Sequence, residues 1–329
     1  MNTRRHFLAL TASALCTNLR HAYAQTPPLP KIGWLELNAS GMYAESTGRG
    51  FIKGLAGSGF IEGKNVLFER RSAQSDLRRL PQLARELVAA KVDVIFAPAK
   101  PMADAAWYAS RRIPTVVATV TDPVKVGYAE SLRRPGKHIT GVTTANAELI
   151  GKRLQLLTEI VPGTKRIGTL IDENLLASCS EEMDLMEKAA KFLGLTIVRI
   201  PVMVESLDLE AAIRRAQAAR VQALMTAPMT SNHDITDKIA AVALKHRVPF
   251  MHDVPQLAGQ SLAVYGPDFE DVFRRAGHYV ARILKGEKPE VMAIEEPRQF
   301  RMIINLKVAK ALGVAVPQMA LIRADEVIE

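Results

Sequence analysis

The chain is poor in cysteine, with only Cys16 and Cys179 among its 329 residues. A framework of several disulfides is therefore excluded, and stability has to come from burial of apolar side chains. Seven histidines are present, but their spacing does not match a metal-ligand pattern, which argues against a structural zinc site. No segment approaches the roughly 18 unbroken apolar residues that a membrane-spanning helix needs.

Motifs of the common nucleotide-binding and hydrolytic enzymes are also missing. Gly54, Gly57 and Gly59 end a predicted helix, whereas the glycines of a dinucleotide-binding fingerprint open one. The following segment lacks the spacing of a phosphate-binding loop, and Asn65 stands where that loop needs Ser or Thr. A nucleophile elbow is absent. We therefore expect no cofactor, no catalytic residue and a binding protein rather than an enzyme.

Residues 1–24 have the features of a removable export leader. The pair Arg4 and Arg5 precedes a short apolar stretch, and a small-x-small cleavage site ends at Ala24. The arginine pair fits a twin-arginine address, and an ordinary secretory leader is the alternative because its start is also positive. We expect cleavage after Ala24, a proline-rich tether over residues 25–30 and a mature protein in the periplasm.

The charge balance is mildly basic. The formal net charge is +9, and removal of the leader, with its three arginines and no acid, leaves +6 on 305 residues. Lysine and arginine alternate with acids along the predicted helices, which favours solvated helix faces over a nucleic-acid groove. A modest positive field suits an anionic ligand. The remaining length is enough for two domains of ordinary size.

Short apolar runs alternate with amphipathic segments along the rest of the chain. Strands are predicted at residues 31–37, 65–71, 92–97, 114–120 and 138–142, of which 92–97 is typical of a buried strand. Helices are predicted at 43–57, 77–90, 101–111, 269–285 and 306–312. This βαβ order predicts a parallel sheet that is covered by helices on both faces.

The same plan recurs about 130 residues later in the sequence. The run 31–35 is echoed by 166–170, the run 91–98 by 220–228, and the run 111–116 by 246–251. Three echoes in the same order indicate two similar α/β lobes. A single large sheet with units that merely resemble each other is the alternative.

Four further stretches point to a known family. They are residues 54–65 (GLAGSGFIEGKN), 120–126 with 136–142 (VTDPVKV and GKHITGV), 283–289 (ILKGEKP), and 304–311 with the ending RADEVI. Together and in this order they resemble the periplasmic substrate-binding proteins of ABC transporters, in the tryptophan/tyrosine-type branch. The resemblance implies the type I periplasmic-binding fold, in which two Rossmann-like lobes with parallel sheets are joined by a hinge around a central cleft.

The resemblance also implies a domain division and a set of partners. Residues 31–142 with 268–290 would form lobe one, and 143–267 with 291–329 would form lobe two. The expected partners are a small-molecule ligand, an ABC permease and its ATPase, with no nucleic acid, no insertion into the membrane and a monomeric chain. The alternatives are an exported enzyme on a doubly wound fold and a periplasmic sensor that docks onto a membrane receptor.

Candidate ligand-binding residues follow from the geometry of such sheets, because ligands bind beyond the carboxyl ends of parallel strands, near helix N-termini. The candidates after predicted strands are Asn38, Ala99, Lys100, Thr121 and Asp122 in lobe one and Asp172, Asn174, Met229, Asp253 and Tyr265 in lobe two. They suit a small carboxylate-bearing solute, with an amino acid as one candidate.

Each candidate has a structural alternative. Lys100 either clamps a ligand carboxylate or is solvated at the rim. Asp122 either pairs with a ligand ammonium or makes a turn before Pro123. Asp172, Asn174 and Asp253 either bind polar ligand atoms or cap the next helix. Tyr265 could stack on a planar ligand, and Met229 either lines an apolar pocket or fills the core.

Overall fold

The computed structural model describes residues 28–144, 146–172, 180–202, 208–226 and 235–329. Within these ranges the chain forms two separate sheets, one of five strands and one of seven. None of the helices in the same ranges is both long and apolar enough to cross a membrane.

The first sheet is parallel throughout. Its strands are β1 (Lys31–Glu36), β2 (Leu67–Ser72), β3 (Val94–Phe96), β4 (Thr115–Val120) and β5 (Ile139–Thr143), in the order β2-β1-β3-β4-β5. The helices α1 (Met42–Gly57), α2 (Leu80–Ala89) and α3 (Lys100–Ala109) connect the first four strands. The predicted helix 77–90 begins as a single 3-10 turn at Leu77–Arg79, because the Asp76 side chain caps that turn.

The second sheet is mostly parallel and contains one antiparallel pair. Its strands are β6 (Arg166–Asp172), β7 (Thr196–Val202), β8 (Ala223–Met225), β9 (Phe250–His252), β10 (Ala263–Pro267), β11 (Phe300–Asn305) and β12 (Glu326–Ile328), in the order β12-β11-β10-β9-β8-β6-β7. Strand β11 runs antiparallel to β10, since the chain comes back from the other lobe before it forms β11.

Seven further helices follow β5 in the described residues. They are α4 (Asn146–Ile160), α5 (Ser180–Phe192), α6 (Leu209–Ala218), α7 (Thr236–Lys245), α8 (Phe269–Leu284), α9 (Leu306–Leu312) and α10 (Gln318–Ile322).

The sequence echoes correspond to equivalent strands of the two sheets. They fall on β1 and β6, on β3 and β8, and on β4 and β9. The order β2-β1-β3-β4-β5 in one sheet has its counterpart in β7-β6-β8-β9-β10 of the other. Lys91 and Arg220, which precede the second pair of strands, share a left-handed backbone with φ of 54° and 56°. The two lobes therefore repeat one plan.

The chain passes between the sheets three times. Helix α8 follows β10 of the second sheet but packs on the first, where Phe273 and Ala276 share a core cluster with Trp34 and Phe96. Met292 belongs to the same cluster, so the last return to the second sheet comes after it. The division into lobes at residues 290 and 291 remains a prediction, and this packing favours a boundary a few residues later.

Helices α1 and α8 approach each other closely through glycines. A Cβ atom at Gly50 would lie 2.3 Å from the backbone oxygen of Glu270, and one at Gly54 would lie 1.9 Å from that of Arg274. On the opposing helix α8, a Cβ at Gly277 would lie 2.3 Å from the backbone oxygen of Phe51 in α1. Backbone therefore packs on backbone, and this contact fixes α8 against the first lobe.

Candidate ligand-binding cleft

A cavity opens at the carboxyl edge of the first sheet. In this conformation the cavity is narrow, with about 50 Å³ of free space beneath its open mouth. The ends of β1, β3 and β4 form its floor, the first turns of α1 and α3 form its rim, and α8 closes its back. The lining residues are Trp34, Glu36, Leu37, Asn38, Tyr43, Ala44, Thr47, Pro98, Ala99, Met102, Thr119 and Phe273.

The two helices at the rim begin without a side-chain cap. Gly41 precedes α1 with φ of 103°, and Ala99 precedes α3 in an extended conformation, and neither residue's side chain accepts a hydrogen bond. Helix α8, by contrast, is capped by Asp268, whose carboxylate accepts from the amide of Asp271. Uncapped first-turn amides and the positive end of the helix dipole favour an anion at the rim.

Glu36 is the ionisable acid in the cavity lining. Burial raises the pKa of its carboxyl to about 7, and the positive charge of Arg70 offsets only part of that effect. Arg70 lies over the Trp34 ring, 4.5 Å from its centroid, and also pairs with Glu62 at 3.3 Å. Among the described residues, none donates a hydrogen bond to the Glu36 carboxylate.

Glu36 begins a loop that follows a predicted strand but is not among the predicted site residues, although a signal for it was present. Four buried residues, Ile32 to Leu35, come directly before it, and it is the last residue of its strand. An acid in that position lies at the carboxyl edge of the sheet, where ligands bind.

The predicted residues of lobe one fall into two groups. Asn38 and Ala99 line the cavity, and the Asn38 side-chain oxygen accepts from the backbone amide and hydroxyl of Ser40 at 3.3 and 3.1 Å. Lys100 opens α3, and its ammonium lies 2.8 Å from the carboxylate of Asp104, one turn along the same helix. The charge of Lys100 is thus already partnered in this conformation.

Thr121 and Asp122 follow β4 and do not line the described cavity. The Asp122 carboxylate accepts from the amides of Val124 and Lys125 at 3.1 and 2.9 Å. This geometry corresponds to the turn alternative. A ligand role for the two residues remains a prediction.

In lobe two, Asp253 follows β9 and forms a buried ion pair. Its carboxylate lies 3.1 Å from the guanidinium of Arg153 on α4, and both side chains are only 4% exposed. The Thr226 hydroxyl donates to the same carboxylate at 3.4 Å. A buried carboxylate with such partners is held in one orientation at the carboxyl edge of the second sheet.

Tyr265 lies on β10 beside Phe300, with ring centroids 6.4 Å apart. It is partly buried, and burial raises the pKa of its phenol. A Cβ at the next residue, Gly266, would lie 1.8 Å from the backbone oxygen of Asp253, so a glycine is needed for the two segments to approach.

Three predicted residues have no described side-chain environment. Asp172 is the last residue of β6, and its side chain is not described. Asn174 and Met229 lie outside the described residues. In the described parts of the chain, no group of three or more histidine, cysteine, aspartate or glutamate side chains is arranged to hold a metal ion.

Known proteins resemble this chain over most of its length. A curated tyrosine-binding protein of Clostridioides difficile (strain R20291) is 26% identical over 285 residues, which cover 84% of this chain and 80% of the relative. A conserved domain protein of Vibrio cholerae superposes with a TM-score of 0.80 at 25% identity, over 91% of this chain and 99% of its own. An ABC domain from Streptococcus pneumonia, solved with L-Trp, gives 0.81 at 22% identity, over 91% and 100%.

The structural likenesses confirm the two-lobed type I periplasmic-binding fold. The family model described as ABC transporter substrate binding protein matches residues 37–328, which is most of the chain. The matched range includes the helices and strands described above except β1, and it includes the cavity lining except Trp34 and Glu36. The chain therefore belongs to the family of ABC transporter substrate-binding proteins.

Proposed function

We propose that this protein captures a small carboxylate-bearing solute, an amino acid, in the cleft between its lobes and delivers it to an ABC permease and its ATPase. One observation carries the choice of solute: the cavity at the carboxyl edge of the first sheet is bordered by two helix starts that lack side-chain caps. A ligand carboxylate supplies the missing acceptor for their amides.

The rest of the cavity suits the remainder of an amino acid. Its walls include the aromatic rings of Trp34, Tyr43 and Phe273 and the side chain of Met102. Rings and a thioether accommodate an apolar side chain. The relatives that carry tyrosine and L-Trp in their descriptions support an aromatic amino acid in particular.

Capture requires that the ligand favours the closed arrangement of the lobes over the open one. Contacts between the lobes already exist: Tyr43 of α1 packs against the small cluster of Val254, Leu257 and Phe269, of which the first two follow β9. Leu77 packs against core clusters of both lobes. A ligand that touches both sheet edges adds to these contacts only in the closed state, and this differential affinity drives closure.

Delivery to a permease takes place outside the cytoplasm. The leader over residues 1–24, with Arg4 and Arg5 near its start, supports export to the periplasm and cleavage after Ala24. Mass spectrometry of the exported protein is expected to find Gln25 as its first residue. An intact leader on the exported protein would contradict the cleavage.

The ligand class is tested by thermal shift with amino acids, aromatic acids and neutral sugars. Amino acids are expected to raise the melting temperature, since a ligand that binds only the folded state stabilises it. Stabilisation by neutral sugars alone would refute the proposal.

A matched pair of variants tests the anion site itself. Ala99→Asp puts a carboxylate at the start of α3, where it caps the helix and repels the ligand carboxylate. In Ala99→Asn the new side chain has nearly the same size as aspartate, and it caps the helix without adding a charge. We expect the aspartate variant to bind the ligand at least about tenfold more weakly than the asparagine variant, given the strength of charge-assisted hydrogen bonds. Equal losses would mean that no anion binds at this helix start.

A further inference from the structure

We propose that Glu36 selects among aromatic amino acids, by accepting a hydrogen bond from an N–H or O–H group at the far end of the ligand side chain. The ligands that satisfy this requirement have a phenol or an indole, whereas a plain phenyl ring does not. The inference rests on the proposed function, because it assigns the ligand's carboxylate to the helix starts at the rim.

The position of Glu36 makes it available to a ligand. It is the last residue of β1 and lies two residues from Trp34, so both side chains point to the same face of the sheet. Both line the cavity, and Trp34 is only 4% exposed. Glu36 is thus a partly buried acid beside an aromatic wall, and it lacks a hydrogen-bond donor among the described residues.

Other polar groups of the lining are already engaged. The Thr47 hydroxyl donates to the backbone oxygen of Tyr43 at 2.8 Å, and that of Thr119 donates to the oxygen of Pro98 at 3.1 Å. The Asn38 side-chain oxygen accepts from Ser40. Glu36 is therefore the strong acceptor of the cavity lining that still lacks a donor.

The surroundings of Glu36 suit a ring better than an ammonium group. Phe273 and Trp34 form apolar walls in the cavity, and an ammonium group placed against them would lose hydration. The Glu36 carboxyl, whose pKa burial raises to about 7, is accessible in both its neutral and its ionised form near neutral pH. It still accepts a hydrogen bond from a phenol or an indole in either state, and more strongly when ionised.

A site with an unsatisfied buried acceptor discriminates against ligands that leave it unsatisfied. A phenyl ring would cover Glu36 without giving it a partner, and the carboxylate would lose water at no gain. The same ring with a terminal donor removes that penalty. Discrimination therefore arises from the cost of the wrong ligand as well as from the bond to the right one.

The experiment measures dissociation constants by calorimetry for L-tyrosine, L-tryptophan and L-phenylalanine, with the purified full-length mature protein. The variants are Glu36→Gln, Glu36→Leu and the control Glu329→Gln, whose acid lies exposed just after β12 of the second sheet. Wild type and the control are expected to prefer tyrosine or tryptophan to phenylalanine. Glu36→Leu is expected to bind the donor-bearing ligand about 10- to 100-fold more weakly, while phenylalanine is expected to bind at least as tightly as to the wild type because the unpartnered carboxylate is gone.

Glu36→Gln keeps an acceptor oxygen but cannot ionise, so it supplies a second readout. Affinity of the wild type for the donor-bearing ligand is expected to rise from pH 5.5 to pH 8.5, because ionisation strengthens the bond. The profile of Glu36→Gln is expected to be flatter. L-phenylalanine is titrated alongside: its affinity is expected not to rise with pH, whereas a contact between Glu36 and the ligand's ammonium group would make it rise as well. This comparison stays decisive if Glu36→Leu fails to fold.

The outcomes separate the inference from the function on which it rests. Equal losses for all three amino acids in Glu36→Leu would assign Glu36 to the ligand's ammonium group and overturn the inference, while amino-acid capture would stand. Unchanged affinities and identical pH profiles would overturn it as well. If the wild type binds none of the three, both the inference and the aromatic amino-acid ligand are wrong.

Discussion

The contact between α1 and α8 gives the sharpest prediction about stability. In Gly54→Ala the new methyl group would lie 1.9 Å from the backbone oxygen of Arg274 and 2.8 Å from its carbonyl carbon. Both neighbours are backbone atoms of a helix, so no side chain can rotate away. The helices have to separate by more than about 1 Å before the methyl group reaches ordinary van der Waals distance.

The expected cost follows from two opposing effects. Replacing a mid-helix glycine with alanine stabilises a helix by up to about 1 kcal/mol. Overpacking costs about 1–3 kcal/mol or more, and here separation also loosens the core residues Phe273 and Val280 of α8. We expect a net loss of about 2 kcal/mol, which at this chain length lowers the melting temperature by about 3 °C.

Two other glycines of α1 provide matched controls. A Cβ at Gly48 would lie 3.7 Å from the Trp34 ring, and one at Gly57 would lie 3.7 Å from the His278 ring, both at ordinary contact distance. Gly48→Ala and Gly57→Ala are therefore expected to leave the melting temperature unchanged or to raise it. Urea unfolding or calorimetry of the ligand-free protein measures all three. If Gly54→Ala is as stable as Gly48→Ala, the close helix contact does not exist.

Three further predictions concern charged residues. Because burial raises the pKa of Glu36 to about 7, the folded state binds a proton more tightly than the unfolded state, and the stability of the protein falls as pH rises from about 4.5 to 7. Glu36→Gln is expected to remove this loss of stability, which amounts to about 1–3 kcal/mol at pH 8. Urea unfolding of both proteins at pH 5 and pH 8 measures the difference. Arg153→Met removes the guanidinium that pairs with the buried Asp253 carboxylate, and it is expected to lower the free energy of unfolding by about 3–5 kcal/mol. The double variant Arg153→Met with Asp253→Leu is expected to recover part of that loss, because no buried charge remains. If Arg153→Met is as stable as the wild type, the buried ion pair is refuted. Replacement of Arg4 and Arg5 by lysine is expected to abolish twin-arginine export in a fractionation assay, and unchanged export would assign the leader to the general secretory route.

The regular parts of the fold were predictable from sequence because their signals are local. The apolar runs that became β1, β3 and β4 are flanked by amphipathic segments, and this alternation determines the secondary structure without distant contacts. The repeated run 220–228, which contains β8, likewise has the apolar pattern of a strand. Strand direction is different: nothing within residues 299–304 shows that β11 runs antiparallel to β10, since direction depends on the path of the chain through the other lobe.

The site was predictable only in part for the same reason. Asn38 and Ala99 were identified because they directly follow strands, and both line the cavity. The environment of Glu36 depends on Phe273, which lies more than 200 residues further along the chain, so its raised pKa has no local sequence signal. Lys100 is local in sequence, yet its ion pair with Asp104 becomes evident only once the helix exists.

The late position of α8 in the sequence has a consequence for biosynthesis. The core of the first lobe needs Phe273, Val280 and Met292, which are among the last residues to leave the ribosome. A nascent chain that ends before α8 exposes the apolar face that covers Phe51 and Phe96 in the finished protein, and it needs protection from aggregation until synthesis is nearly complete. The two lobes therefore mature together, and neither is expected to survive as an independent fragment cut at the first crossing.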